Sequence, residues 1–314
     1  MQRRRHAPSR PPILSTIEPV PPHDTVALER GLLARAPSSG LVLGAIASVQ
    51  FGSAIAATLF ARVGPGGAVL LRLVSATIVL LALWRPRWRG WTRREVVLAV
   101  MFGVALAAMN LSFYEALARI PLGVAVTIEF VGPLAVALSG SRRPVDLVWV
   151  ALAGLGILAL THGGAHSLNA LGVVFALVAG CFWGAYILLN ARVGQAFERG
   201  TGLALAMLVA SVLTFAPGVA DGGTHLLEPR SLALGAAVGM LSSAIPYSLE
   251  LEALRRIAAS IFGVLMSLEP AMAAFAGFLV LGQGLGARAL VGIALVIAAS
   301  VGASRRARDA PVAV

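Results

Sequence analysis

The stretch EALARIPLGVAVTIEFVGPLAVALSG, residues 115–140, is apolar enough for a membrane helix, yet it contains the acid Glu129 and, one turn later, Pro133. The pattern returns 137 residues further on as EALRRIAASIFGVLMSLEPAMAAFAG, residues 252–277, and the two copies align without a gap. The second copy carries an acid and a proline of its own. Two copies of one membrane segment, each with an acid near a proline, are the starting point for predicting the fold and the function.

The composition places the chain among membrane proteins. It is 58% hydrophobic and 12% charged, with a mean hydropathy of +0.86, whereas globular chains are about half apolar and about a quarter charged. Apolar runs of about 20 residues, the length of a helix that crosses a bilayer core, recur along the sequence. We therefore predict an all-α polytopic membrane protein.

Ten such apolar segments follow one another, and several loops between them are so short that neighbouring helices must be antiparallel. We number these predicted spans one to ten. They are residues 40–60, 66–84, 95–117, 121–139, 145–160, 168–190, 201–220, 231–254, 260–281 and 286–304.

The basic residues indicate how the spans are oriented. With the N-terminus in the cytoplasm, 20 arginines fall in cytoplasmic segments and 4 in outside loops, as the positive-inside rule requires. Both termini are then cytoplasmic, which requires an even number of spans. Topology thus explains the net charge of +11, and nucleic-acid binding is not predicted. Because all basic residues are arginine, which is typical of a GC-rich bacterial genome, we expect a multi-pass protein of the bacterial inner membrane.

The repeat divides the chain into two halves of five spans. Because five is odd, the second half enters the membrane upside down relative to the first, as in many secondary transporters. We predict a first five-helix repeat at residues 40–161 and a second, inverted repeat at residues 168–304. Residues 1–39 are polar, basic and rich in proline, which predicts a disordered cytosolic tail, and residues 305–314 form a cytosolic C-terminal tail.

Two acids lie deep inside predicted spans. Glu129 is roughly 13 Å inside the fourth span at 1.5 Å per residue, and Glu269 is comparably deep in the ninth. A charge in the hydrocarbon costs about 2.5–3.5 kcal/mol on insertion scales, so it needs a cavity or a partner. Each acid either pairs with a substrate ammonium, carries a coupling proton, or is a structural acid hydrogen-bonded between helices. Since Glu129 aligns with Met266 and Glu269 with Gly132, we expect the acids to reach one cavity from different heights.

One arginine and three prolines interrupt the apolar spans. Arg72 lies inside the second span, and its long side chain either reaches the interface or pairs with Glu129 or a substrate carboxylate. Pro133, Pro246 and Pro270 free backbone carbonyls, so we expect a helix kink at each. These kinks either border a binding site or serve packing alone.

Other polar or amphipathic side chains lie within the bundle, where hydrogen bonding between helices is their default role. The further candidates for substrate binding or proton coupling are Gln50, Asn110, Trp183 and Tyr247. The acids near span ends are expected to be structural: Glu115, Glu250 and Glu252. The sequence has no P-loop and no HExxH motif, its histidines lie in the tail or outside loops, and its single cysteine excludes a Cys cluster. We expect no cofactor, no metal and no enzymatic activity.

The segments ARIPLGVAVTIEFVGPLAVALSGSRRPVDLVWV, residues 118–150, and PYSLELEALRRIAASIFGVLMSLEPAMAAFAG, residues 246–277, resemble the EamA family of the drug/metabolite transporter superfamily. Within it, the chain looks most like the bacterial threonine/homoserine exporter group. The resemblance covers roughly residues 40–304. It implies ten helices in two inverted halves around a central cavity, and proton-driven export of small amino acids.

We therefore expect a proton-coupled exporter of small hydrophilic amino acids, whose partners are an amino acid, protons and the lipid bilayer. In this hypothesis Glu129 receives the substrate ammonium, and Arg72 or helix-end amides receive its carboxylate. Protonation of Glu129 or Glu269 then weakens binding and resets the carrier. Two alternatives stay open: a carrier of the same fold for another metabolite or drug, and a non-transporting scaffold or channel.

Overall fold

The structure is a computed structural model in which every regular element of the described residues is a helix. It describes residues 37–86, 90–139, 146–161, 168–197, 200–254, 256, 262 and 265–309. The predicted N-terminal tail lies outside this description as far as residue 36.

Six helices follow the first five predicted spans. They are α1 (Ser38–Thr58), α2 (Phe60–Trp84), α3 (Arg93–Leu117), α4 (Leu122–Glu129), α5 (Val131–Ser139) and α6 (Asp146–Thr161). Near the start of α2, Gly64 has a left-handed backbone with φ 66°, and regular helix resumes close to the predicted start of the second span. The N–H of Gly66 donates to the Asp221 carboxylate at 2.9 Å, so an acid from the second half caps this helix.

The second half contains six further helices. They are α7 (Ala170–Ala196), α8 (Thr201–Gly222), α9 (Pro229–Gly239), α10 (Ile245–Leu254), α11 (Glu269–Leu281) and α12 (Ala287–Asp309). A short 3₁₀-helix (Gly223–Leu227) follows α8, and a π-helix (Met240–Ala244) joins α9 to α10. Most of the first part of the predicted ninth span lies outside the described residues. Helix α12 continues to Asp309, so the predicted C-terminal tail begins as helix.

Five of the described helices are long and apolar enough to cross a membrane: Ser38–Thr58, Phe60–Trp84, Arg93–Leu117, Ala170–Ala196 and Thr201–Leu227. Shorter apolar helices occupy the other predicted spans, three of which contain a break. Large apolar side chains point outward, with Val212 66% and Ile78 63% exposed. Such surfaces suit lipid rather than water, and the chain is an all-α polytopic membrane protein.

The packing of the helices follows the two-fold relation that the repeat predicts. Equivalent spans pack on each other, namely α2 on α8, α4 on α11 and α6 on α12. Two further contacts have counterparts in the other half. The contact of α3 with α7 corresponds to that of α9 and α10 with α1, and the contact of α5 with α7 corresponds to that of α11 with α1. This pattern agrees with two five-helix halves related by a two-fold axis, while their inverted orientation and their boundaries at residues 161 and 168 stay predictions.

Glycines bring two of these pairs into backbone contact. A Cβ placed on Gly132 of α5 would lie 1.9 Å from the carbonyl oxygen of Gly180 in α7. A Cβ on Gly123 of α4 would lie 2.7 Å from the Cα of Ala274 in α11. Small residues at such crossings let membrane helices approach closely, and here they anchor the two broken spans.

Candidate functional site

The fourth span is broken beside its acid. Helix α4 ends at Glu129, and α5 begins two residues later. Pro133 has no N–H to donate to the Glu129 carbonyl one turn earlier, so the helix loses a backbone bond there. The Glu129 side chain is 7% exposed. Among the described residues, none is seen to donate a hydrogen bond to its carboxylate.

The ninth span is broken at the aligned position, but its acid lies on the other side of the break. Ser267 and Leu268 form a turn, and α11 begins at Glu269 with Pro270 in its first turn. The Glu269 side chain is 5% exposed. Both deep acids are therefore buried at helix breaks rather than within continuous helices.

The eighth span is broken by its π-helix, which is followed two residues later by Pro246. This proline has no N–H for the carbonyl of Ser242 one turn earlier. The freed carbonyl instead accepts a hydrogen bond from Nη2 of Arg72 at 3.2 Å. The neighbouring carbonyl of Leu241 accepts one from Oγ of Ser48 at 2.6 Å. Short π-helical segments often lie at functional sites, and this one is held by side chains from α1 and α2.

Arg72 is buried inside the bundle and does not reach the interface. Its side chain is 9% exposed. Nη1 donates to the Tyr114 hydroxyl at 3.3 Å, and the guanidinium lies 5.7 Å from the centre of the Tyr114 ring. Nε is buried without a hydrogen-bond partner among the described residues. Arg72 is therefore buried rather than extended to the interface, and its pairing with Glu129 or with a substrate carboxylate stays a prediction.

Three acids and this arginine form one electrostatic group. The positive charge of Arg72 is close enough to act on Glu129. The negative charges of Glu129 and Glu250 are both close enough to act on Glu269. Glu250, which was expected to be structural because it lies near a span end, is partly buried on α10 within this group. Its spacing of one helical turn from Pro246 is a signal in the sequence that was not used to find it.

The other candidates lie in different surroundings. The Trp183 ring packs edge-on against Phe130, the residue at the fourth-span break, with centroids 5.4 Å apart. Asn110 donates to the Leu106 carbonyl of its own helix at 2.8 Å. Gln50 is 2% exposed, and its amide oxygen has no partner among the described residues. The side chain of Tyr247 lies outside the description.

The described residues contain no group of three or more His, Cys, Asp or Glu side chains that could hold a metal ion. Cys181 is exposed on α7, toward the surface that faces lipid. The side chains of the buried group are suited to ion pairing, hydrogen bonding and proton transfer.

Two cavities open at the predicted outer end of the bundle. One of about 520 Å³ is lined by Glu115, Arg119 and Asp221, and Glu115 forms an ion pair with Arg119. The other, of about 420 Å³, is lined by Arg62, His225 and Glu228 among others. Glu129, Glu250 and Glu269 line neither of these two cavities.

In the second cavity, charge pairing lowers the pKa of Glu228, an acid outside the predicted spans. His225 shares a hydrogen bond with Glu228 at 2.6 Å, and Arg62 forms an ion pair with the same carboxylate. The bond to His225, followed by Arg62, lowers the pKa of Glu228 below its ordinary value of 4.5. Glu228 is therefore charged at neutral pH.

A model of the EamA-like transporter family matches residues 170–305. Threonine/homoserine exporter RhtA of Salmonella typhimurium is 41% identical over 275 residues, which cover 86% of this chain and 92% of that protein. Threonine/homoserine exporter RhtA of Escherichia coli (strain K12) is 42% identical over 272 residues, which cover 85% of this chain and 91% of that protein.

One solved crystal structure superposes on the fold with a TM-score of 0.58 and 17% identity, covering 87% of this chain and 99% of its own. At this identity the likeness shows the arrangement of the helices alone. The sequence relatives, which span nearly the whole chain, carry the family relationship.

Proposed function

Because the chain belongs to the EamA-like transporter family, we propose that it is a secondary transporter that exports small amino acids of the threonine and homoserine type in exchange for protons. The observation that carries the proposal is the buried group of Arg72, Glu129 and Glu269. An amino-acid zwitterion has one cation and one anion, and this group offers a charge of opposite sign to each. Two inverted halves can open such a group first to one side and then to the other.

In this scheme the zwitterion enters from the cytoplasmic side. The ammonium binds beside Glu129, and the carboxylate binds Arg72. Rocking of the two halves about the contacts between α4 and α11 and between α2 and α8 then exposes the site to the outside. The tight glycine crossings supply rigid contacts on which the halves can rock, because close-packed backbones do not deform gradually.

Proton coupling follows from competition for the same carboxylates. A buried carboxylate that has lost its ammonium partner is costly in the membrane, and a proton from outside removes that charge. Protonation of Glu129 or Glu269 therefore favours release of the substrate outside and return of the empty carrier. The scheme needs no covalent chemistry and no nucleic acid, and it places the protein in the inner membrane with both termini in the cytoplasm.

Counterflow in proteoliposomes tests the substrate class. Vesicles loaded with unlabelled threonine should accumulate labelled threonine transiently, and external homoserine should compete. A panel with a hydrophobic drug, an aromatic metabolite and a purine separates other carriers of this fold. Absence of counterflow with threonine, in protein shown to be folded, contradicts the proposal, and flux without saturation indicates a channel.

Glu129→Gln tests the proton-coupled site. Export should fall at least about tenfold, the effect of roughly 1.4 kcal/mol, and the remaining transport should lose its dependence on external pH. Glu115→Gln is the matched control, because it also removes a carboxylate from the first repeat but at the outer end, where Glu115 pairs with Arg119. Export by Glu129→Gln at the wild-type rate and with the wild-type pH profile would refute the role of Glu129.

A further inference from the structure

The guanidinium of Arg72 is held on two sides and left open for more bonds. An arginine has five N–H donors, and described residues accept from two of them, the Tyr114 hydroxyl and the Ser242 carbonyl. Nε is buried and lacks a partner among the described residues. A buried unpaired donor is costly, so the free donors favour a ligand with acceptor oxygens.

One of the two anchors exists because of a proline. In an uninterrupted helix the Ser242 carbonyl would accept from the backbone N–H one turn later. That residue is Pro246, which has no N–H. The π-helix that includes Ser242 packs against α1 and α2, where a Cβ on Gly52 would lie 2.3 Å from the Ser242 hydroxyl. The Ser242 carbonyl thus has no donor at position 246, and Nη2 of Arg72 donates to it at 3.2 Å.

The second anchor fixes the plane of the guanidinium. Tyr114 is fully buried, and it both accepts from Nη1 and lies within cation–π distance of the guanidinium at 5.7 Å. With both anchors in place, Arg72 cannot turn freely toward Glu129 or toward the interface. A planar guanidinium held in one orientation is suited to bind a carboxylate through two parallel bonds.

We propose that Pro246, through the Ser242 carbonyl that it frees, is a positioning residue that holds Arg72 as the carboxylate-binding subsite of the carrier. Tyr114 is the second positioning residue of this subsite. The inference rests on the proposed function, since it assigns one end of the transported zwitterion. It predicts that these residues govern recognition of a carboxylate and leave recognition of the ammonium and the side chain unchanged.

Pro246→Ala tests the subsite, because the new N–H competes with Arg72 for the Ser242 carbonyl. The KM for L-threonine in counterflow should rise about tenfold, the effect of losing roughly one charge-assisted hydrogen bond, with Vmax within about twofold. Inhibition by L-threoninol, which keeps the ammonium and hydroxyl but has an alcohol in place of the carboxylate, should not change. The preference for threonine over threoninol therefore falls about tenfold.

Pro217→Ala is the matched control. Pro217 is also a proline inside a membrane helix, α8, and no side chain of the described residues is seen to donate to the carbonyl one turn before it. This variant should keep the wild-type preference. Tyr114→Phe removes the hydroxyl and keeps the ring, so it should lower the preference in the same direction even if Pro246→Ala does not fold.

The outcomes separate the two proposals. If wild-type protein shows no threonine counterflow, the proposed function fails. If wild-type protein transports threonine but Pro246→Ala and Tyr114→Phe keep its preference over threoninol, the subsite is wrong. Equal losses for threonine and threoninol also overturn it, because they indicate a general structural role.

Discussion

In the fourth span the acid precedes the helix break, and in the ninth span the acid follows it. The breaks themselves lie at one aligned position, because Pro133 and Pro270 align and each deprives the carbonyl one turn earlier of its donor. Glu129 ends α4, whereas Glu269 begins α11. The prolines thus decide where both spans break, and the acids use the same break in different ways.

This difference shows how a symmetric fold acquires an asymmetric site. At the aligned position of Glu269, the fourth span has Gly132, whose backbone touches Gly180 of α7. One copy uses the position for helix packing, and the other copy uses it for a charge. In the proposed scheme, a zwitterion bound between the two copies therefore meets unlike walls.

The third and eighth spans, which precede the fourth and ninth, also differ between the two halves. Helix α3 runs unbroken from Arg93 to Leu117, whereas the eighth span contains the π-helix. The third span has Met109 at the position of Pro246, so its carbonyls stay within the helix. The carbonyl that anchors Arg72 is therefore available from one half of the molecule.

Of the variants that test this difference between the two spans, Gly132→Ala should lower the stability of the protein most. Its Cβ would overlap the Gly180 carbonyl, and neither partner is a side chain that can move aside. Overpacking of about 3 kcal/mol is expected, so the thermal midpoint in detergent should fall by roughly 10 °C, or the protein should fail to fold. In Gly154→Ala, where nothing lies within 4 Å of the added Cβ, the midpoint should not fall. A wild-type midpoint for Gly132→Ala would mean that α5 and α7 are not in backbone contact.

The double variant Glu129→Gln/Glu269→Gln tests whether these two acids, which lie on opposite sides of their helix breaks, belong to one site. Each single variant should lower threonine export by about tenfold or more. Groups that act together are not additive, so the double variant should lose little beyond the more affected single variant. Counterflow rates of the four proteins measure this coupling. Fully multiplied losses would show that the two breaks work independently.

Gln283→Ala tests how the fourth and ninth spans are joined. The Leu122 N–H at the start of α4 donates to the Gln283 side chain at 2.9 Å, just beyond the end of α11. Removing this acceptor should cost about 1 kcal/mol, as for other helix caps, and lower the thermal midpoint by about 3 °C. Gln283→Glu keeps an acceptor oxygen and should stay near wild type. Equal midpoints for the alanine variant and wild type would show that water replaces this cap.

Glu228→Gln should change the thermal midpoint least. It tests how the starts of the third and eighth spans differ. The third span is capped locally by Thr92 and Glu95, whereas Glu228, just before α9, pairs with Arg62 of the first half. Because the folded state lowers the pKa of Glu228, its contribution is present at neutral pH and is lost as pH falls below about 4.5.

Thermal midpoints of Glu228→Gln and wild type should therefore differ slightly at pH 7 and converge as the pH falls through the lowered pKa. The contribution is small because the side chains are largely exposed. Curves that stay parallel from pH 7 to below pH 4.5 would contradict this assignment of the lowered pKa.

Much of the fold follows from local patterns. Long apolar runs predicted the spans, and the described helices begin and end within a few residues of them, except that α2 begins six residues earlier, before its kink at Gly64, and that α7 and α12 run further. The prolines predicted breaks in the fourth, eighth and ninth spans, since a missing N–H acts on the same helix whatever surrounds it. The form of the eighth-span break, a π-helix, was not predicted, because it depends on contacts from α1 and α2.

The candidate site was predicted less completely. Glu129 and Glu269 were found from their depth in apolar runs. The direction of the Arg72 side chain was left open, since an arginine in a helix can reach the interface or stay inside at similar cost. Glu250 was assigned by its distance from a span end, which says nothing of the helix face on which it lies.

The sequence by itself determined that the chain is an all-α polytopic membrane protein, and it predicts two related, inverted halves, because hydropathy, arginine bias and the repeat are properties of the chain order. Only the tertiary structure decided which of its buried polar groups meet. The carbonyl freed by Pro246 and the guanidinium of Arg72 are far apart in sequence, and packing of the eighth span against α1 and α2 brings them within 3.2 Å. Hydrogen bonds and charges act over a few ångströms, so a site of this kind becomes visible when helices from both halves are in place.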